Sequence, residues 1–486
     1  VIAVSRGDIA RGNPGAAMPP SKNDQRIGIF GSYVLTHGAE GQKVVRDQWV
    51  VIEGDTIATI SSYPPHGADI LEDRPGRFIL PGFLNLRNHG FTEAIARTWT
   101  EDGASRKGEE SILYTVLLPL SKRSIDLLSR EERLSIARLG ILQLLKGGPT
   151  TVMESFRAGF GEMFDAAYEM GIRFYGAPYL FSTADAQVGE DDMVRYGADA
   201  GSGSDNVAAL LSWESLRAAW DGEDDRRIRL GMSPHAPDTC DPDLLRGPSL
   251  RAQELDIPMT MHLAQSREVI KIISERYAGR SPAEYLDWLG VLNSRLIAAH
   301  CVASSDADLA LMAARGTTVA NCPRVFARAG EAAPFGRFVA RGVQTVVATD
   351  GYNMDALGEL QAAGMISKIL CGSAEVASAP ELIDAVTVVA TNAIDRSDLG
   401  RLAPGSKADL TAVDLSHPHL QPIGDPRRAL VWLANRANID MFVVDGRILV
   451  SRGHYCLSDE NEIIATGSKA VERIWDLPEA RRAFTR

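Results

Sequence analysis

The sequence has no apolar run approaching the about eighteen residues that a membrane-spanning helix needs. It has no excess of positive charge either. Its 51 Lys and Arg stand against 63 Asp and Glu, a formal charge of −12, which argues against nucleic acid or a membrane surface as partner. Cysteine is scarce, with 5 in 486 residues. An odd, scattered set is no disulfide framework and points to a reducing, cytoplasmic setting. No internal repeat of about 20–50 residues is present, which sets solenoids and propellers aside. No G-x-G-x-x-G follows an early strand and no G-K-[S/T] loop occurs, so dinucleotide and P-loop chemistry are not expected. Residues 1–25 lack a signal-peptide core and an initiator Met, and read as a flexible N-terminal arm. What remains is 45% hydrophobic and 23% charged, the composition of a globular protein with ample core.

The texture changes twice along the chain. IGIFGSYVL, VVRDQWVVIEGD and TIATI alternate β-branched and polar residues between turn signals, the pattern of hairpins. A similar texture returns in ADLTAVDL and in MFVVDGRILV, with Asp-Gly at its turn. Residues 26–79 and 396–456 are therefore expected to form one small β-sandwich built from both chain ends. Between them, TTVMESF, IRFYGAPYLF, IRLGMSPHAP, IPMTMHLAQ, RLIAAHCVA, GTTVANCP and TVVATDG alternate with helix-length segments. Such βα units predict an α/β parallel fold, and their number favours a (β/α)8 TIM barrel over 80–395 rather than an open sheet. Residues 457–486 read as a C-terminal helical tail.

In a barrel of this kind, chemistry collects at the C-terminal ends of the strands. Four apolar runs end in His89, His262, His300 and Asp350. A fifth ends in His235. Each alone reads as a hydrogen-bonded core residue, because an unpaired imidazole or carboxylate is costly to bury. Convergence at one rim accounts for all of them together. Imidazole and carboxylate are the usual nitrogen and oxygen ligands of zinc and similar divalent ions. His37, His66, His417 and His419 fall in loop-like or β-domain sequence and are taken as surface residues. Glu154 ends the second strand and reads as a support for a ligand or as a solvated carboxylate. Cys301 and Cys322 lie near strand ends, but Cys301 follows His300 directly and so points to the opposite face; nucleophilic thiol catalysis is not expected.

These segments resemble the amidohydrolase superfamily. LPGFLNLRNH is similar to its first barrel strand, which normally reads P-G-F-x-x-x-H-x-H. MHLAQS resembles the strand bearing the fifth-strand His, AAHCV the sixth-strand His and TDG the eighth-strand Asp. SPHAPDTCDPDLL is similar to the fourth-strand loop of the branch holding the s-triazine hydrolases and guanine-type deaminases, and APGSKADLTAVD to the return into the small β domain. The resemblance spans about residues 27–455 in the right order and implies a hydrolase of non-peptide carbon–nitrogen bonds.

Two departures qualify it. Arg87 stands where the first H-x-H histidine is expected, and a guanidinium cannot ligate a metal. Gln265 stands where the deaminases carry the glutamate that shuttles a proton to a ring nitrogen, and an amide can do no acid–base work. No lysine lies between Lys146 and Lys271 to bridge two metals, so one divalent transition metal is expected: zinc, with iron, cobalt or manganese as alternatives. The altered first strand and TDGYNMD resemble the phenylurea hydrolases and molinate hydrolase. The expectation is therefore a mononuclear hydrolase acting on an N-substituted urea, carbamate, thiocarbamate or amide. His89, His262 and Asp350 are to hold the metal, with His300 as fourth ligand or neighbour. Asp350 is to act as the base, and His300, His235 or Arg87 to stabilise the oxyanion. Gln265, Tyr352 and Asn353 are to line the pocket of a small-molecule substrate. The rival readings are an aminohydrolase of a heteroaromatic ring (a triazine, purine or pterin) and a non-catalytic binding protein. A homo-oligomer is what the resemblance implies for assembly.

Overall fold

Alternating residues at the N-terminal end form β1 (Arg26–Gly38), β2 (Gly41–Glu53) and β3 (Thr56–Ser61), an antiparallel meander. The structure, a computed structural model, describes residues 25–38, 41–96, 124–156, 159–182, 186–188, 194–196, 203–328, 330–351 and 353–478. Nearly all of the expected arm and Tyr352 lie outside the described residues. Two further strands follow, β4 (Ile70–Glu72) and β5 (Arg77–Pro81), both parallel to β1.

The barrel-like part contains β6 (Phe83–Asn88), β7 (Pro149–Phe156), β8 (Arg173–Leu180), β11 (Ile228–Leu230) and β12 (Ser233–Pro234) as one parallel arc. A short hairpin, β9 (Ala186–Val188) and β10 (Val194–Tyr196), branches off after β8. A second parallel arc comprises β13 (Met259–Leu263), β14 (Leu296–His300), β15 (Thr318–Asn321) and β16 (Gln344–Val347). The arcs meet through single parallel bridges, Asn88 to Asp350 at one seam and Met232 to Met259 at the other. The result is a TIM-barrel-like α/β fold with an attached sheet domain.

The chain returns to that domain in β17 (Leu410–Asp414), β18 (Ile439–Val444), β19 (Arg447–Ser451) and β20 (His454–Tyr455). β17 pairs with β5, so both chain ends do share one domain. The expected two-sheet sandwich is corrected, because hydrogen bonding runs unbroken through a single nine-stranded sheet. Its two faces part by alternation along the strands. Phe78 and Leu80 pack towards the barrel helices, whereas Ile79 joins Ile27, Val34, Val50, Leu410 and Met441 in a core drawn almost wholly from the sheet itself. The sheet therefore curls over its own outer face, and the sandwich-like texture comes from that curl. At the β18–β19 turn Asp445 and Gly446 have φ of 47° and 72°, the doubly positive geometry that Asp-Gly favours. A Cβ on Gly446 would stand 2.0 Å from the Gly54 carbonyl oxygen.

The two parts are fastened by a buried charge cluster. Arg173, fully buried at the start of β8, donates to both oxygens of Asp409 (2.8 and 2.9 Å) and to Asp445 (2.5 Å). The expected tail contains a helix, Glu460–Trp475, which lies against the helix Arg130–Leu145. Gly467 permits the close approach, and the Trp475 indole donates to the Ile95 carbonyl at 2.7 Å.

Candidate active site

The ends of β6, β8, β13, β14 and the residues after β16 converge on one buried cluster. Arg87, wholly buried, stands at its centre. Its Nε donates to Asp350 Oδ1 (3.4 Å), one terminal nitrogen to Ser155 Oγ (3.1 Å), and the other to Tyr179 Oη (2.6 Å) and His262 Nε2. Burial works against its charge, but Tyr179 and Asp350 more than offset this and raise its pKa.

Backbone carbonyls set the histidine tautomers. A carbonyl only accepts, so the contacts of His262 Nδ1 with His235 O (3.0 Å) and of His89 Nδ1 with Ser155 O (2.6 Å) place the proton on Nδ1 in both rings. Each Nε2 then faces the cluster, that of His262 towards Arg87. That of His89 lies 3.1 Å from Asp350 Oδ1, and that of His300 lies 3.8 Å from the same oxygen. Burial, reinforced by Arg87, lowers the His262 pKa well below the usual imidazole value; burial likewise lowers that of His300 to about 3, despite Asp350. Both rings are neutral near pH 7. Burial would raise the Asp350 pKa, but His89, His300 and Arg87 overcome it and hold the carboxyl far below the usual range.

The donor set fits a divalent transition ion. Histidines held through Nδ1 and presenting Nε2 are the usual metal-binding arrangement; His89 presents its Nε2 beside the Asp350 carboxylate, whereas that of His262 is taken up by Arg87 in this structure. His300, Cys322 and Asp350 each place one ligand atom within 4.8 Å of the other two. Arg87 takes the position expected of a ligand and contacts His262 instead.

The remaining expectations divide. His235 belongs to the cluster, its ring 4.5 Å from that of His262, with Nδ1 bonded to Thr239 Oγ1 at 2.8 Å. Gln265 is 7% exposed just beyond β13, and its Nε2 finds no hydrogen-bond partner among the described residues. Asn353 turns to its own loop: its Oδ1 accepts from the Asp355 amide (3.2 Å) and its carbonyl from Arg436 (2.6 Å). Glu154 is a buried support, not a solvated carboxylate. It accepts from Asn88 Nδ2, and Asn88 Oδ1 accepts in turn from Thr349 Oγ1 at 2.8 Å. Burial pushes the Glu154 carboxyl up to about 6, against the pull of Asn88 and His89. Sequence reasoning did not find Tyr179, whose hydroxyl also lies 3.4 Å from His89 Nε2, nor Ser155.

An amidohydrolase family model matches residues 78–449. A 5-methylthioadenosine/S-adenosylhomocysteine deaminase of Moorella thermoacetica is 27% identical over 84% of this chain and 89% of its own length. A 5′-deoxyadenosine deaminase of Methanothermobacter thermautotrophicus is 26% identical over 93% of this chain and 99% of its own. Among solved structures, an adenosine deaminase from Xanthomonas campestris with bound zinc superposes with a TM-score of 0.80 at 22% identity, covering 94% of this chain and all of that one. The atrazine chlorohydrolase of Arthrobacter aurescens complexed with zinc gives 0.81 at 21% identity, over 92% of this chain and all of that one.

Proposed function

The chain belongs to the amidohydrolase family, and from that premise we propose that it is a metal-dependent hydrolase of carbon–nitrogen bonds that removes an amino group from a heteroaromatic ring of the adenine type. The sequence alone put ureas and carbamates first and ring amines second. The relatives favour the reverse order, since those matched along most of the chain are named as deaminases of adenosine derivatives. The observation that carries the reading is the cluster itself. The imidazoles of His89 and His300 flank one carboxylate that stays ionised, and the ring of His262 lies beside both of them.

His89, His262, His300 and Asp350 would hold the ion, with zinc the first candidate. What a divalent ion supplies in such a cluster is polarisation of a water molecule, whose pKa falls towards about 7. Asp350 accepts the attacking water's proton on a carboxylate oxygen and passes it to the amine, which leaves as ammonia. Arg87 keeps that carboxylate anionic until the proton arrives. Gln265 presents its free amide N–H to a ring nitrogen, orienting the ring without protonating it. The negative charge that water addition places on the ring nitrogen is met by the Gln265 N–H and by the positive charge of Arg87.

Gln265 also favours a second reading. A substrate with no ring nitrogen to protonate, such as an N-substituted urea or thiocarbamate, loses nothing when glutamate is replaced by an amide. The discriminating experiment incubates the zinc- or cobalt-loaded enzyme with 5′-deoxyadenosine, methylthioadenosine and an aryl urea. Ammonia from the nucleosides supports the ring deaminase. Aryl amine from the urea, with the nucleosides untouched, transfers the proposal to the second reading. No product from any of them, with metal bound, counts against both.

A further inference from the structure

Among the described residues, the thiol of Cys322 is a buried group beside the cluster that the proposed reaction does not use. β15 lies between β14, which ends in His300, and β16, which leads to Asp350. The residue just after β15 is therefore delivered between those two side chains, and that residue is Cys322. One ligand atom from each of His300, Cys322 and Asp350 lies within 4.8 Å of the other two. Cys322 is 2% exposed, and among the described residues its sulfur makes only a long contact, 3.7 Å, to the Ala320 carbonyl. His300 is equally buried, and its Nδ1 has no hydrogen-bond partner among the described residues.

We propose that Cys322 is a thiolate ligand of the divalent ion, beside His300 and Asp350, and takes a coordination position that Arg87 on the first strand cannot fill. This rests on the reading that the enzyme binds a metal. Three considerations support it. Thiolate, imidazole and carboxylate are all established zinc ligands, and thiolate is well suited to zinc and its relatives. Ligand atoms on one tetrahedral zinc stand roughly 3–4 Å apart, given bonds of about 2.0–2.3 Å, so the three groups need only side-chain adjustment to share an ion. Charge points the same way. A divalent ion with Asp350 carries one net positive charge, and Arg87 adds a second within the same buried space. A Cys322 thiolate returns the cluster to one, its proton passing to solvent as the sulfur–metal bond forms.

The test replaces the native metal with Co(II) in the full-length enzyme and records its absorption. A thiolate ligand gives a sulfur-to-cobalt charge-transfer band in the near ultraviolet. The expected result is about one cobalt per chain with that band. Cys322→Ser should lose the band and weaken cobalt by more than about tenfold, whereas Cys301→Ser should keep it. Should Cys322→Ser not fold, X-ray absorption at the zinc edge of the unaltered enzyme reads the same ligand as a sulfur at about 2.3 Å. Cobalt bound without the band, a band that survives in Cys322→Ser, or no sulfur at the zinc edge overturns the proposal and leaves metal dependence standing. Failure to bind cobalt or zinc at all overturns both.

Discussion

Arg87 donates to Ser155, Tyr179, His262 and Asp350 at once, so one guanidinium ties together side chains from four separate strand ends. Its removal does more than delete a charge. Arg87→Ala should lower kcat by about 10²–10³, the usual loss for one donor at a developing negative charge, and steady-state assays at saturating substrate would read it. Arg87→Lys keeps the charge but loses the planar fork, and should recover only part of the rate. Gln265 supplies a prediction of opposite sign. If the substrate is a ring amine, Gln265→Glu restores a proton shuttle and should raise kcat at least about tenfold, within the 10²–10⁴ range of general acid–base catalysis; a urea hydrolase should gain nothing. At this scale the sequence was legible wherever a polar residue interrupts an apolar run, as at His89, His235, His262, His300 and Asp350. Tyr179 escaped because a tyrosine inside APYLF looks like core. The hydroxyl that bonds Arg87 cannot be read from a strand whose other aromatic residues are simply buried.

The strands deliver these residues through an unusual backbone. His300, Cys301 and Asp350 have φ of 76°, 53° and 57°, the left-handed region that non-glycine residues avoid at a cost of about 1–3 kcal/mol each. At these positions the backbone leaves regular strand geometry, and the turn at the strand end sets the direction of His300 and Asp350. Alternation rules locate such strands but carry no information about where they break. At the opposite end of β8, Arg173 meets Asp409 and Asp445 with no exposure to solvent. Arg173→Met would leave the buried Asp409 carboxylate without its cation and Asp445 with Lys407 alone, at 3.4 Å, and should cost about 3–5 kcal/mol, measurable by urea unfolding. The helix Phe160–Met170 carries a milder conflict. Burial raises the Asp165 pKa to about 6 although Arg130 opposes it. Since this folded value exceeds the unfolded one, the folded state holds its proton more tightly. Asp165 then favours folding at acid pH and loses that contribution as pH rises through about 6. Asp165→Asn should accordingly raise Tm at about pH 8, with the gain shrinking towards about pH 4, and a calorimetric series would test it.

For the whole molecule, the β-rich ends and the βα middle were legible from periodicity alone, and the pairing of the two ends followed from their shared texture. The unbroken nine-stranded sheet was not, because two curled halves of one sheet and two separate sheets share the same alternation. The docking of the final helix depends on Gly467, whose lack of a side chain admits Leu139 and the Ser135 carbonyl. A single glycine in a polar helix does not disclose its neighbour. The seam between β5 and β17 has a consequence for the newborn chain. A ribosome finishes β5 at Pro81 and reaches Leu410 only about 330 residues later, roughly 15–65 s at typical synthesis rates of about 5–20 residues per second. Throughout that interval the edge of β5, with Phe78, Ile79 and Leu80, waits for a partner that does not yet exist. The chain is at its most vulnerable to wrong pairing while it is being made, and expression at lower temperature or with added chaperone should raise its soluble yield more than it raises the Tm of the finished protein.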